Sequence, residues 1–138
     1  MNTRDDLLAL LGDHTQGVLV TLKRDGRPQL SNVGYAYDGS RVRVSITDDR
    51  AKTKNLRRDP RASLYVNAKN GRAYVVIEGT ATLSPVAESV NDDTVRALIE
   101  LYRAIGGEHP DWDEFRTAMV REKRLVLSME MEHAYGMA

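Results

Sequence analysis

The chain has no cysteine, which excludes a disulfide framework, a thiolate metal site and a thiol nucleophile. No apolar stretch approaches the roughly eighteen residues that a membrane span needs. No apolar run follows a basic stub at the N-terminus, so no signal peptide is expected and the cytoplasm is the expected location. Charge of one sign is also missing: 20 Lys and Arg face 20 Asp and Glu. There is no basic tail, helix-turn-helix or zinc pattern, so nucleic acid is not an expected partner. His14, His109 and His133 are far apart, with no spaced carboxylates beside them, and no metal site is expected. A Ser/His/Asp hydrolase motif and a Gly-rich P-loop are both lacking. At 138 residues the chain reads as one domain, 1–138, able to bury roughly two-thirds of its surface.

What the chain does have is a concentrated basic segment. Residues 50–63 hold Arg50, Lys52, Lys54, Arg57, Arg58 and Arg61 against a single acid, Asp59. The neutral total therefore hides an asymmetry. Residues 1–87 carry 14 basic and 9 acidic residues, and residues 88–138 carry 6 and 11. The pattern suits a small anionic ligand held locally. The segment reads as a helix from Ala51 to Arg58, ended by Asp59-Pro60 because a residue before proline avoids helical backbone. Its first turn carries Arg50 and Lys52. Unpaired N–H groups at a helix N-terminus, with an Arg and a Lys beside them, make a phosphate cradle. The competing reading is a solvated basic helix. Lys54, Arg57, Arg58 and Arg61 share a face if helical geometry continues.

Strand signals surround this helix. Gly17–Lys23 is apolar, Asp25-Gly26 is a tight turn, and Pro28–Tyr37 returns. Arg41–Ile46 alternates polar and apolar residues. Three strands thus form a meander before the basic helix. Ala62–Ala68, a turn at Lys69-Asn70-Gly71, and Ala73–Leu83 make another hairpin, with Gly79 marking a bulge or a close backbone approach. Arg124–Met131 alternates as a closing strand, and His133 falls beyond it. Helices are expected near the start, capped by Thr3 with Asp6 as a weak capping-box variant, over Asp92–Ile105, and over Asp111–Lys123. The sum is mainly β: a six-stranded barrel with helical trim, for which a second copy is a natural cover.

Four stretches carry a family resemblance. They are Asp25-Gly26-Arg27-Pro28-Gln29-Leu30-Ser31-Asn32, the basic run from Arg50 to Ser63, the helix from Asp92-Asp93-Thr94-Val95 through Leu101-Tyr102, and Gly107-Glu108-His109 with Asp111-Trp112. Together they resemble the split β-barrel, flavin-binding fold of the pyridoxamine 5′-phosphate oxidase superfamily. Within it the chain is most similar to the actinobacterial branch that uses the deazaflavin coenzyme F420. The resemblance implies a homodimer and an F420-dependent reductase that transfers a hydride to a small conjugated acceptor of the quinone, enone, lactone or tetrapyrrole class. It implies that Gln29, Leu30, Ser31 and Asn32 line the ring and ribityl chain. Ser45, Arg50, Ala51, Lys52 and Thr53 hold the ribityl chain and phosphate, and Lys54, Arg57 and Arg58 offer a surface to the glutamyl tail. Arg72 and Tyr74 come from the partner subunit, and some relatives carry an aromatic residue where Arg72 stands. FMN in the same fold, and a non-enzymatic F420 carrier, are the competing readings. Hydride transfer is the cofactor's own chemistry, so no catalytic side chain is singled out. His133, Tyr35, Tyr37 and Tyr135 are outside chances, since tyrosines in a barrel more often pack the core with the hydroxyl satisfied.

Overall fold

A computed structural model describes residues 3–68 and 70–138. Lys69, expected in the turn of the second hairpin, lies outside the described residues. The chain opens with helix α1 (Arg4–Gly12), where Thr3 and Asp6 form a full capping box and Leu7, Leu10 and Leu11 are buried. Strands β1 (Gln16–Leu22), β2 (Pro28–Gly34), β3 (Ala36–Tyr37) and β4 (Arg41–Thr47) follow. Helix α2 (Ala51–Arg58) leads to β5 (Arg61–Asn67) and β6 (Tyr74–Leu83). Helices α3 (Asp93–Gly106) and α4 (Trp112–Arg121) precede β7 (Arg124–Met137).

One antiparallel sheet contains all seven strands, in the order β2-β1-β5-β6-β7-β4-β3. This corrects the six-strand count and the expected three-strand meander. The return strand breaks at Tyr35: β2 pairs with β1, while β3 pairs with β4 at the opposite edge of the sheet. One residue cannot span a flat seven-strand sheet, whose neighbouring strands lie about 4.8 Å apart. The sheet therefore curls until its two edges meet at Tyr35. That residue is fully buried. Its N–H donates to the Thr15 carbonyl at 2.8 Å, and its hydroxyl donates to the Leu11 carbonyl at 2.5 Å. Tyr35 thus packs the core with its hydroxyl satisfied and separates β2, paired with β1, from β3, paired with β4.

The closing strand runs on to Met137, so His133 lies within β7, opposite Glu78, and not beyond the last strand. The expected end at Met131 marks a change of phase. Gly79 pairs with Met131 and Glu78 with His133, leaving Glu132 as an extra residue. The insertion reverses which face each later side chain takes, so the alternation dissolves although the strand continues. Gly79 makes the bulge, as expected, because a Cβ there would run into the Glu130 carbonyl oxygen.

Two cores result. Inside the curl, α1, Leu56 of α2 and inward residues of β1 and β4–β7 pack together, with Leu64, Val66, Val75, Ile77, Leu125, Leu127 and Met129 fully enclosed. Outside it, α3 and α4 pack Val95, Leu98, Ile99, Phe115 and Met119 around Val126 of β7. The outer face of β1, β2, β5 and β6 carries no helix among the described residues, and Leu30, Tyr135 and Met137 stand 62%, 45% and 54% exposed.

Candidate functional site

Helix α2 follows β4 after a three-residue turn and closes one end of the curl. Thr53 and Leu56 anchor its inner side. Asn55 fixes its orientation: Nδ2 donates to Thr21 Oγ1 at 3.2 Å and to Gln29 Oε1 at 2.8 Å. Arg58 Nη2 donates to Asn55 Oδ1 at 3.2 Å and to the Leu22 carbonyl at 2.6 Å. This network ties the C-terminal half of α2 to β1 and β2, while the Asp48 N–H, donating to the Lys123 carbonyl at 3.0 Å, holds the turn before α2 beside the start of β7.

Arg50 is the N-cap and places no side chain over the helix end. The Arg50 carbonyl accepts from the N–H groups of Thr53 and Lys54. The N–H groups of Ala51 and Lys52 find no acceptor among the described residues. Lys52 is half-buried, makes no ion pair among those residues, and lies in the field of Arg50 and Arg124. Burial first, and then these two guanidinium groups, push its ammonium below the usual lysine range. Ser45 is on the outer face of β4, where its Oγ accepts from Arg124 Nη1 at 3.3 Å. Arg124 is held by Glu122, with Nε and Nη2 at 3.0 and 2.9 Å from Oε1. Thr47, two residues along the same face, has a buried Oγ1 without a partner among the described residues. Free helix N–H groups, an orphan hydroxyl and a lysine destabilised by like charge fit a phosphate.

The expected site residues separate into groups. Ser45, Arg50, Ala51 and Lys52 come together at the cradle. Thr53 is fully buried with its hydroxyl donating to the Thr47 carbonyl at 2.6 Å, so it holds the turn in place. The four residues of β2 cannot all face one ligand, because strand side chains alternate. Gln29 and Ser31 are half-buried, and Gln29 is engaged by Asn55; Leu30 and Asn32 face outward. Asn32 lines an open groove of about 610 Å³ with Val18, Tyr65 and Asn67. Arg72 and Tyr74 lie at the far end of the sheet, where Tyr74 packs on Tyr65 at 5.7 Å between ring centres. Tyr74 pairs with Met137, whereas Arg124 starts β7; the separation along that strand is roughly 40 Å. Within one chain, then, Arg72 and Tyr74 are not part of the cradle.

The basic face also divides. Arg61 belongs to β5 and pairs with Asp59 at 2.7 Å, so the helical face ends at Arg58. Arg57 pairs with Asp48 at 2.6 Å. Lys54 joins Lys23, Arg24 and Asp25 of the β1–β2 turn around an open concavity of about 700 Å³. Sequence reasoning missed Lys23, Arg24, Asn55 and Arg124. Asn55 alone carried a local signal, a polar residue on the apolar side of a short helix. Arg124 lies 79 positions from Ser45, and only strand pairing joins them. Among the described residues no cluster of His, Asp or Glu could hold a metal, and no helix is long and apolar enough to cross a membrane.

A curled antiparallel half-barrel with a cationic helix terminus at one end defines a split-barrel protein with a place suited to an anion. The chain belongs to the pyridoxamine 5′-phosphate oxidase family, whose model matches residues 3–138. It is 26% identical over 136 residues to an F420H(2)-dependent biliverdin reductase of Mycobacterium tuberculosis, covering 97% of this chain and 88% of the relative. Among solved structures, one described as an F420 reductase superposes with a TM-score of 0.71 at 19% identity, over 92% of this chain and 94% of that one. A conserved hypothetical protein of Mycobacterium tuberculosis superposes with a TM-score of 0.76 at 22% identity, over 99% and 85%. At these identities the two structures speak for the fold.

Proposed function

We propose that the protein is an F420-dependent oxidoreductase that reduces a small conjugated acceptor. The observation that carries the reading is the cradle: Arg50, Lys52, Arg124 and Ser45 around two free N–H groups of α2. The F420-dependent relative supports the choice of cofactor. Lys52, Arg50 and the N–H groups of Ala51 and Lys52 hold the phosphate, and Ser45 and Thr47 offer hydroxyls beside it. The shelf of Lys23, Arg24 and Lys54 suits the carboxylates of a glutamyl tail; FMN, with its single phosphate, leaves that shelf unused. The bound deazaflavin supplies the hydride. The chain's residues position it and exclude water, and solvent protonates the reduced product. The acceptor belongs to the quinone, enone, lactone or tetrapyrrole class. The protein acts as a homodimer through the helix-free outer face of the sheet, which brings Arg72 and Tyr74 of one subunit toward the other's ring site.

Fluorescence titration with F420, in parallel with FMN, tests the cofactor. Micromolar or tighter F420 binding with much weaker FMN is the expected result. Preference for FMN moves the protein to the flavin branch, and binding of neither overturns the reading. A charge-assisted hydrogen bond contributes about 1.5–3 kcal/mol, so Lys52→Ala weakens F420 binding roughly ten- to a hundredfold with the fold intact. Unchanged affinity sinks the phosphate assignment.

A further inference from the structure

Beside the cradle, and sharing Ser45 and Arg124 with it, a cavity of about 470 Å³ lies between α3, α4 and the outer face of β4 and β7. Its walls are Leu98, Leu101, Tyr102 and Ile105 from α3, and Phe115, Ala118 and Met119 from α4. Aromatic rings dominate one side. Tyr102 meets Phe115 edge-on at 5.2 Å and His109 at 5.2 Å. Leu98, Phe115 and Met119 pack on Val126 of β7, and beside that contact the helices leave a volume in the range of small-molecule sites.

Polar groups converge on the cavity at two places. On the sheet, Ser45 and Arg124 line its floor. Glu122 accepts from Nε and Nη2 of Arg124 and Ser45 Oγ accepts from Nη1, which leaves a second N–H on each Nη to donate to a ligand. Glu114 and Glu122 also line the cavity, and Arg124 is the one cation among its lining residues. At the rim, His109 Nδ1 accepts from the Asp111 N–H at 2.9 Å. In the neutral ring the proton is therefore on Nε2, which has no partner among the described residues and donates. A mostly apolar, aromatic-walled slot with cationic and hydroxyl donors at one end selects a flat apolar body bearing one negative charge.

We propose that this cavity is a second small-molecule site and that it takes a planar, largely apolar monocarboxylate, its carboxylate on Arg124 and Ser45 and its ring against the wall that Tyr102 and Phe115 form together. The inference does not depend on which cofactor the cradle holds. The site abuts the cradle through Ser45 and Arg124, so a ligand seated here sits beside the bound phosphate group.

Trp112 is the chain's single tryptophan, with ring centres 5.8 Å from Tyr102 and 5.4 Å from Phe115. Its indole N–H gives one NMR resonance and reports on the cavity wall. Titration of the full-length protein with 2-naphthoate, without cofactor, should shift that resonance saturably. The neutral 2-naphthamide should bind about tenfold more weakly, as loss of one charge-assisted contact requires. Ala118→Phe fills the slot and should abolish the shift, with circular dichroism checking the fold. Arg124→Gln should bring the acid down to the affinity of the amide, and it serves should Ala118→Phe fail to fold. Absence of a saturable shift, or a shift that survives Ala118→Phe, overturns the site. Equal affinity for acid and amide in the unaltered protein overturns the carboxylate assignment. Lys52→Ala should retain naphthoate binding while losing F420, which separates this site from the cradle.

Discussion

Lys52 shows how a residue proposed to bind phosphate costs stability. Its ammonium is half-buried, close to Arg50 and Arg124, and held below the ordinary lysine value of 10.5. The unfolded chain binds that proton more readily than the folded one. The penalty is therefore present at neutral pH, shrinks as pH rises through the depressed folded value, and vanishes above the unfolded one. An anion in the cradle removes it at neutral pH. Lys52→Met should raise the Tm of the ligand-free protein at low salt and abolish the extra stabilisation conferred by inorganic phosphate. Thermal melts with and without phosphate decide it; a lower Tm for the variant would mean that the ammonium stabilises the empty fold. F420 affinity should also decline at alkaline pH, and Lys52→Arg should extend binding to higher pH, because a guanidinium stays charged.

At the scale of the element, α2 works because its N-terminus is held still. An eight-residue helix is marginal in isolation. Asn55 ties it to Thr21 and Gln29, and Arg58 ties it to Leu22. Asn55→Ala leaves Thr21 and Gln29 short of a donor in a buried setting and should cost about 1–3 kcal/mol of stability. F420 affinity should fall with it although Asn55 points away from the cradle. A lowered Tm with full affinity would show that the helix terminus needs no such support. The β7 bulge opposite Gly79 is a second case. A side chain at Gly79 meets the Glu130 backbone, so Gly79→Ala should cost about 3 kcal/mol or more, near the exceptional end for single substitutions. A denaturant melt with an unchanged midpoint would be incompatible with that packing.

For the whole molecule, the governing fact is one-sided coverage. Helices α3 and α4 shield the outer face near β4 and β7, while Leu30, Tyr135 and Met137 remain exposed on or beside the open face. Open apolar sheet surface of this kind marks an interface. Sedimentation should give a dimer at micromolar concentration, and Leu30→Asp should shift it to a monomer. Should Arg72 and Tyr74 serve the partner's site, the same variant also weakens F420. A monomeric native protein with full affinity would remove the need for a second subunit.

Much of the chain's local structure was legible before any fold was known. The capping box at Thr3, the Asp25-Gly26 turn with Gly26 at φ 86°, the bounds of α2 and the bulge at Gly79 depend on residues a few positions apart. Backbone sterics and short-range hydrogen bonds decide such features. Ser45, Arg50, Ala51 and Lys52, grouped by the sequence reading, also lie together in the fold for a related reason: three of them belong to one helix terminus. Tertiary structure alone decided the rest. Tyr35 carries the chain from one sheet edge to the other because its ring is needed in the core. Glu132 reverses the phase of β7 because that strand bulges where it passes close to Gly79. Arg124 reaches Ser45 because β4 and β7 pair, and the aromatic cavity exists because two helices settle against that pair. These are contacts between residues distant in sequence, set by how far the sheet curls, and curl belongs to the packed sheet as a whole and to no single segment of the chain.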